Sequence, residues 1–217
     1  MNERFLPAWR WLLASIVLAV TLSGGKVLAH QGNHEAGEAG EKGEPATSAI
    51  SPAGTRDAKA YFTDTELLTQ DGQPVRFYSD VLQDRVVLIN VIYTSCEDAC
   101  PLITQKLKEV RQRLEERVGK EVWFVSISSD PKRDSPQALK KFAREQGVDE
   151  QRWVFLTGTE PNVSQVLTRL GQLARTAEEH STLLIAGNVA AKRWSKVRPD
   201  APVIAIAERL KVLVGAP

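Results

Sequence analysis

The segment RVVLINVIYTSCEDAC, residues 85–100, runs from a strongly apolar stretch into the only two cysteines of the chain, Cys96 and Cys100. Residues 85–93 are mostly β-branched, aliphatic or aromatic, which predicts a buried strand. A helical pattern with its apolar positions on one stripe follows over residues 101–118. The cysteines are therefore predicted to lie where a strand ends and a helix begins, at the sheet edge that usually carries the active site of an α/β protein.

The rest of the chain repeats this alternation of strands and helices. Further apolar runs predict buried strands at EVWFVSISS (121–129), WVFLTG (153–158) and STLLIAG (181–187). Helical patterns over 136–146 and 161–173 lie between them, and another apolar helix ends the chain. We therefore predict an α/β sandwich in which helices flank a central mixed sheet. The segment LLTQDGQPVRFYS (67–79) carries Asp71-Gly72 between strand-like flanks, which predicts an N-terminal β-hairpin.

Length and charge limit the classes of function. The 217 residues include 28 Lys and Arg against 27 Asp and Glu, a balance that offers no electrostatic footprint for nucleic acid. We predict one folded domain over residues 58–217, which is long enough to bury a single hydrophobic core. We expect this domain to be a monomer.

Two segments are predicted before the domain. Residues 1–29 combine early arginines, an apolar stretch and the small-residue ending VLA, which is the layout of an export signal. The apolar stretch is shorter than the ~20 residues of a membrane-spanning helix, and an uncleaved membrane anchor is the alternative. Residues 30–57 are rich in Gly, Ala, Glu and Pro and contain no Phe, Trp or Tyr, which predicts a disordered linker. The domain is therefore expected to be extracytoplasmic, in the periplasm, and attached to the membrane only if the signal is retained.

The spacing of the two cysteines leaves a metal site and a disulfide open. A thiol near a helix N-terminus gains from the positive end of the helix dipole, so Cys96 is predicted to be reactive. Positions i and i+4 of a regular helix have Cβ atoms ~5–6 Å apart, whereas a disulfide needs ~3.8 Å; a Cys96–Cys100 disulfide would then require local distortion. Two soft thiolates select soft cations, Cu(I) above all. Zinc is a weaker candidate, because a structural zinc site has four protein ligands and the chain has no further cysteine.

Histidines supply the candidates for a third ligand. His180 stands immediately before the strand predicted at 181–187 and is the only histidine of the predicted domain. If that strand lies next to the one that ends near Cys96, the imidazole can approach both sulfurs and complete a site with two sulfurs and one nitrogen. His30 and His34 fall in the linker and are accessory candidates, because cleavage of the signal would leave His30 with an α-amino group that can help to chelate a divalent metal.

Three motifs resemble, in order, those of the SenC/Sco copper chaperones of respiratory oxidase assembly. TSCEDACP (94–101) is similar to the family's T-S-C-P-D-V-C-P, SSDPKRDSP (128–136) meets its S-x-D-P-x-R-D-[ST]-P, and His180 stands at the position of its ligand histidine. The resemblance covers about residues 60–190 and implies a thioredoxin-like fold. It also implies that Cys96, Cys100 and His180 bind one copper ion, Cu(I) or Cu(II), and pass it on.

The resemblance implies a partner as well. The usual recipient in the family is the dinuclear copper site of a cytochrome oxidase, so the expected partner is a copper-receiving oxidase subunit or another exported cuproprotein. Glu97 replaces the proline between the family's cysteines, and Glu179 replaces the aspartate before its histidine. These changes leave the ligands intact but alter the surface around them. Because the thiols must be reduced to ligate, copper binding should depend on the redox state of the compartment.

The same thiol pair suits a second class of protein, a thiol:disulfide oxidoreductase that reduces the cysteines of an exported partner. Cys96 and Cys100 would then be the catalytic, redox-active pair. His180 separates the two interpretations, because a chaperone needs this side chain as a ligand and a dithiol reductase does not. A peroxiredoxin-type peroxidase is not indicated, because its P-x-x-x-[ST]-x-x-C motif is absent: position 90 is Asn, and Thr94 is two residues before Cys96 rather than three.

Two polar stretches have structural interpretations. In SSDPKRDSP, Asp134 or Ser135 is predicted to cap a helix whose first residue is Pro136. The basic, Trp-containing stretch KRWSKVR (192–198) is predicted to be a solvated face, with steering of an acidic partner as the alternative.

Overall fold

One mixed sheet forms the centre of the computed structural model, which describes residues 58–114 and 116–215. The described residues all belong to one unit, Ile50–Pro217. The strands are β1 (Glu66–Thr69), β2 (Pro74–Arg76), β3 (Val86–Ile92), β4 (Val122–Ser128), β5 (Trp153–Thr157), β6 (Leu184–Asn188) and β7 (Arg193–Val197). The helices are α1 (Ala58–Phe62), α2 (Ala99–Arg113), α3 (Glu116–Gly119), α4 (Pro136–Glu145), α5 (Glu160–Leu170) and α6 (Val203–Val214), with a π-helix (Phe77–Leu82) between β2 and β3.

The order of the strands places β3 near the middle of the sheet, which runs β2-β1-β5-β4-β3-β6-β7. β3 pairs in parallel with β4, and β4 pairs in parallel with β5. On its other side β3 pairs antiparallel with β6, which in turn pairs antiparallel with the edge strand β7. At the opposite end, β1 pairs antiparallel with both β5 and β2, and Gly72 supplies the positive φ of 74° in the β1–β2 turn.

Both faces of the sheet are covered by helices, and for this reason every residue of β3 is buried. On one face Leu88 and Ile92 pack in a cluster with residues of α2, α4 and α6. On the other face Val87 and Ile89 pack with residues of α1, the π-helix and α5. The predicted α/β sandwich with a central mixed sheet is confirmed.

Several boundaries differ from those expected from the sequence. The helix predicted over 101–118 begins earlier, at Ala99, and ends at Arg113, because Leu114 takes an extended backbone with ψ of 130° and buries its side chain. The strand predicted at 181–187 begins only at Leu184, and before it the Leu183 N–H donates to Ser181 Oγ instead of to a neighbouring strand. Strand β7 was not predicted, because its basic and half-exposed residues show no apolar alternation; pairing with β6 forms it.

The predicted export signal (1–29) and linker (30–57), with the accessory candidates His30 and His34, lie outside the described residues. Among the helices of the described ranges, none is both long enough and apolar enough to cross a membrane.

The β6–β7 pair provides a test of the packing. Gly187 lies directly opposite Trp194, and a Cβ atom at position 187 would meet the indole ring at 2.2 Å. We expect Gly187→Ala to lower the free energy of unfolding by ~1–3 kcal/mol, the usual effect of overpacking, as measured by urea titration. Gly119→Ala is the matched control, because its Cβ would come no closer than 3.8 Å to a neighbour. Equal losses in both variants would contradict the packing described.

Candidate metal centre

The structure brings the predicted ligands together at one edge of the sheet. Cys96 lies in the loop after β3, and Cys100 lies in the first turn of α2, whose N-cap is Asp98. His180 lies in the loop before β6, and because β6 pairs with β3 this loop reaches the same edge as the cysteines. The His180 Nε2 atom is 3.8 Å from Cys100 Sγ. The expectation that the strand after His180 lies next to the strand that leads to the cysteines is confirmed.

The two cysteines occupy different environments. Cys100 is buried, with 1% of its surface exposed, whereas Cys96 is half-buried, and both are free thiols. Cys96 precedes α2 instead of lying on it, so the spacing of side chains on a regular helix does not describe this pair. The strain expected of a Cys96–Cys100 disulfide assumed that spacing and does not apply, because Cys96 lies outside the helix. The loop instead allows the Cys100 backbone N–H to donate to Cys96 Sγ over 3.2 Å.

Several hydrogen-bond donors converge on the Cys96 sulfur. Burial by itself raises the pKa of this thiol, but hydrogen bonds from the backbone N–H and thiol of Cys100, the Tyr93 hydroxyl and the Asp98 N–H outweigh burial and lower the pKa below its ordinary value. The hydrogen bond to Cys96, followed by burial, raises the pKa of Tyr93 to about 12, so its hydroxyl stays protonated and donates. The thiolate form of Cys96, which attacks disulfides and binds metals, is thereby stabilised.

Cys100 and His180 form the buried part of the site. Burial, followed by the hydrogen bond with Cys96, raises the pKa of Cys100 to about 12, which makes it a protonated thiol. His180 Nδ1 lies 3.1 Å from the carbonyl oxygen of Ser181. Because a carbonyl can only accept, Nδ1 is the donor in this contact, and Nε2 is the ring nitrogen that faces Cys100. The Tyr93 ring packs edge-on against the imidazole, with ring centroids 5.6 Å apart.

The chemistry of these side chains fits a soft metal ion, because two sulfurs and an imidazole nitrogen are ligands that copper accepts. Sulfur and nitrogen atoms bound to one metal at ~2.3 and ~2.0 Å, with a trigonal angle of ~120°, stand ~3.7 Å apart. The separation of 3.8 Å between Cys100 Sγ and His180 Nε2 is close to this value. Within the part of the chain that the structure describes, no three His, Cys, Asp or Glu side chains already form a complete metal-binding group. Cys96, Cys100 and His180 therefore lie at one sheet edge, with the Cys100–His180 pair at a separation that a shared metal ion would allow.

A buried carboxylate, Asp134, holds the loop that carries the cysteines. It accepts hydrogen bonds from the backbone N–H of Thr94 at 3.1 Å, from the Thr94 hydroxyl at 2.5 Å and from the Ser128 hydroxyl at 2.6 Å. Because Ser128 is the last residue of β4, the carboxylate ties the loop after β3 to the neighbouring strand. The capping role predicted for Asp134 or Ser135 belongs to Ser135, whose Oγ accepts from the Ala138 N–H. Asp134 is thus a positioning residue of the site, a role that the sequence argument missed.

The same stretch also holds the loop that carries the histidine. Arg133 forms an ion pair with Asp130 and reaches the Glu178 carboxylate at 3.4 Å, two residues before His180. One segment, 128–136, therefore supports both sides of the site. The only signal of this role in the sequence was its match to a family motif, since its residue types alone indicate a loop and a helix cap.

The asymmetry of the thiols leads to a prediction for the metal-free, reduced protein. With limiting iodoacetamide at neutral pH, we expect Cys96 to be alkylated at least ~10-fold faster than Cys100, because only Cys96 combines exposure with a lowered pKa. Tyr93→Phe removes one donor to the thiolate and should slow the alkylation of Cys96 about threefold to tenfold at fixed pH. Peptide mass spectrometry measures both rates.

Tyr78→Phe is the matched control, because Tyr78 lies in the π-helix and is not among the groups that shift the pKa of Cys96. It should leave the alkylation rate unchanged. Faster reaction at Cys100, or equal rates in the Tyr93→Phe variant and the parent protein, would contradict the donor arrangement described.

Asp134→Asn tests the clamp on the cysteine loop. The amide NH2 of Asn would face the donors of Thr94 or Ser128, so one buried hydrogen bond is lost and the free energy of unfolding should fall by ~1–3 kcal/mol. The selectivity of alkylation for Cys96 should fall as well, because the loop is no longer fixed. Asp84→Asn, at an exposed turn before β3, should change neither the urea unfolding curve nor the selectivity. If Asp134→Asn keeps the unfolding free energy and the alkylation selectivity of the parent protein, Asp134 does not fix the cysteine loop.

The chain is similar to known proteins in sequence and in fold. A SCO1 protein homolog of Bacillus subtilis (strain 168) is 37% identical over 89 residues, which cover 41% of this chain and 45% of that protein. The copper-bound structure of Bradyrhizobium japonicum ScoI superposes with a TM-score of 0.57 at 22% identity, covering 69% of this chain and 96% of that one. BsSco, described with a disulfide switch and as a member of the Sco family of cytochrome c oxidase assembly proteins, gives a TM-score of 0.61 at 24% identity, covering 72% and 94%.

These structural similarities confirm the thioredoxin-like fold that the resemblance of the motifs implied. The family model described as SCO1/SenC matches residues 53–190, a span that includes both cysteines, the 128–136 stretch and His180. The match covers more than half of the chain. The protein therefore belongs to the SCO1/SenC family.

Proposed function

We propose that this protein is a copper chaperone that holds one copper ion with Cys96, Cys100 and His180 and delivers it to the copper site of a respiratory oxidase. The observation that carries the proposal is the convergence of two thiols and an imidazole nitrogen at one sheet edge, with 3.8 Å between Cys100 Sγ and His180 Nε2. The copper-bound structure of a relative with this fold supports the choice of metal. The description of BsSco as a cytochrome c oxidase assembly protein supports the recipient.

The residues of the site have distinct parts in holding and releasing the ion. Two thiolates favour Cu(I), and the imidazole is a ligand that Cu(II) also accepts. Cys100 and His180 are buried and keep water from one side of the site, whereas the half-buried Cys96 stands where a partner's ligand can reach it. Exchange of the ion can therefore begin at Cys96, with the buried ligands released afterwards.

We place the protein outside the cytoplasm, in the periplasm. The export-signal pattern in residues 1–29 supports this location. An oxidising compartment readily converts the Cys96–Cys100 pair to a disulfide, so a reducing partner must keep both thiols free before copper binds.

A second function, a thiol:disulfide oxidoreductase, is favoured by the lowered pKa of Cys96 beside a buried second thiol. In this reaction the Cys96 thiolate attacks a disulfide of an exported partner and forms a mixed disulfide, with one partner sulfur leaving as a thiolate. Cys100 then attacks the Cys96 sulfur after losing its proton. The products are a Cys96–Cys100 disulfide and a partner with two reduced thiols.

His180→Ala distinguishes the two functions. The loss of a copper ligand should lower the affinity for Cu(I) by ~100-fold or more, since even residues that only orient a ligand contribute 10- to 100-fold. Competition with a chromophoric Cu(I) chelator measures this affinity, and X-ray absorption should show two sulfur scatterers and one nitrogen in the parent protein. The rate at which Cys96 exchanges with a model disulfide should stay within about threefold of the parent rate, because both thiols remain.

Asp84→Asn is the control and should retain full copper affinity, because Asp84 lies at an exposed turn before β3, at the opposite end of that strand from the cysteines. Copper-loaded parent protein mixed with a reduced oxidase copper-site domain should lose its ion to that domain. Unchanged copper affinity in His180→Ala, or no sulfur scatterer around bound copper, would refute the chaperone. If the reduced parent protein retains no copper but exchanges disulfides, the oxidoreductase is the function.

A further inference from the structure

A second candidate site lies on the opposite face of the sheet from Cys100. It is a groove of about 470 Å³ between α1, α5 and the β6–β7 pair, called the basic groove here; its lining includes Phe62, Ile185 and Trp194 and the cations Arg169, Lys192 and Lys196. Phe62, Leu170 and Ile185 belong to the core cluster on the α5 face, whereas Cys100 belongs to the cluster on the α2 face. A volume of this size falls within the range of small-molecule sites, ~300–1,000 Å³. The basic groove is therefore separate from the proposed metal site.

The floor of the basic groove is apolar and tightly constructed. The Trp194 ring lies directly on Gly187, where any Cβ atom would meet it at 2.2 Å. Phe62 packs against this indole, with ring centroids 5.0 Å apart. The two helices that border the basic groove are joined by a hydrogen bond, in which the Tyr61 hydroxyl of α1 donates to the Arg169 carbonyl of α5 at 2.8 Å. These contacts leave a preformed aromatic surface.

Among the described residues, every charged side chain that lines the basic groove is positive. Arg169, Lys192 and Lys196 line the basic groove, and no carboxylate of the described ranges does. None of these three cations forms an ion pair with another described residue. Lys192 has a left-handed backbone with φ of 54°, an uncommon conformation for a residue other than glycine, at the turn that leads into β7. The stretch 192–198, interpreted from the sequence as a solvated basic face, therefore borders a cavity.

We propose that the basic groove binds a small amphipathic carboxylate, with its apolar body against Trp194 and Phe62 and its head group among Arg169, Lys192 and Lys196. The apolar floor excludes ligands that are polar throughout. The unpaired cations favour an anion over a neutral or cationic head group on the same body. Binding here does not involve Cys96, Cys100 or His180, so the site is independent of copper.

Titration with three ligands that share a ten-carbon alkyl chain and differ in head group tests the preference for an anion. Decanoate, decanol and decyltrimethylammonium are added below their micelle-forming concentrations to ¹⁵N-labelled protein, and the Trp194 indole N–H signal, assigned with Trp194→Phe, is followed by NMR. Decanoate should shift this signal saturably, and decanol should bind at least ~10-fold more weakly, because it forgoes the charge interaction with three cations. Decyltrimethylammonium should give no saturable shift.

Charge-removing variants locate the head group. Lys196→Gln and Lys192→Gln should each weaken decanoate about threefold, and the double variant about tenfold, with thermal unfolding unchanged because both side chains are exposed. Arg193→Gln is the matched control, because Arg193 lies between the two lysines in sequence but does not line the basic groove, and it should bind decanoate as the parent protein does. Equal affinities for decanoate and decanol, absence of a saturable shift, or an equal loss in Arg193→Gln would each overturn the proposal.

Discussion

The antiparallel pairing of β6 with β3 is the contact on which the candidate metal site depends. Cys100 and His180 are 80 residues apart in the chain, and no local interaction can bring them together. The register Val86↔Asn188 to Ile89↔Ile185 sends the chain before β6 toward the end of β3 that leads to the cysteines. A shift of this register by one residue would move Leu184 and Ala186 to the face that Ile185 now occupies, so the packing of these residues in two different clusters specifies the pairing.

The protonation of the two cysteines follows from where the fold places each of them. Cys96 stays near the surface and collects hydrogen-bond donors from its own loop, the first turn of α2 and Tyr93, which together favour its thiolate. Cys100, four residues later, enters the core, and burial keeps its proton in place. An exposed thiolate beside a buried thiol suits both stepwise transfer of a soft metal ion and disulfide exchange, and for this reason His180 distinguishes the two functions.

The β6–β7 pair contributes to both proposed sites. The loop before β6 carries His180 to the sheet edge, while Trp194 of β7, packed over Gly187, forms the floor of the basic groove. A glycine in the middle of a buried strand permits this close contact, and the aromatic ring in turn covers the gap that the missing side chain leaves. The proposed copper site and the proposed carboxylate site therefore share a structural element but no ligand.

Local residue patterns were sufficient to predict the sandwich, because runs such as residues 85–93 are apolar enough to require a buried strand. Residue chemistry, spacing and family motifs were sufficient to select Cys96, Cys100 and His180 as candidate ligands. Long-range contacts, in contrast, set three features that local patterns did not predict: Cys96 precedes the helix, Asp134 clamps the cysteine loop instead of capping α4, and a basic stretch forms strand β7 beside a groove. The pattern of apolar residues depends only on positions close together in the chain, so it predicts strands and helices without knowledge of distant contacts. The contacts of a polar side chain, and the pKa of a thiol, depend on which distant backbone and side-chain groups the fold places beside it.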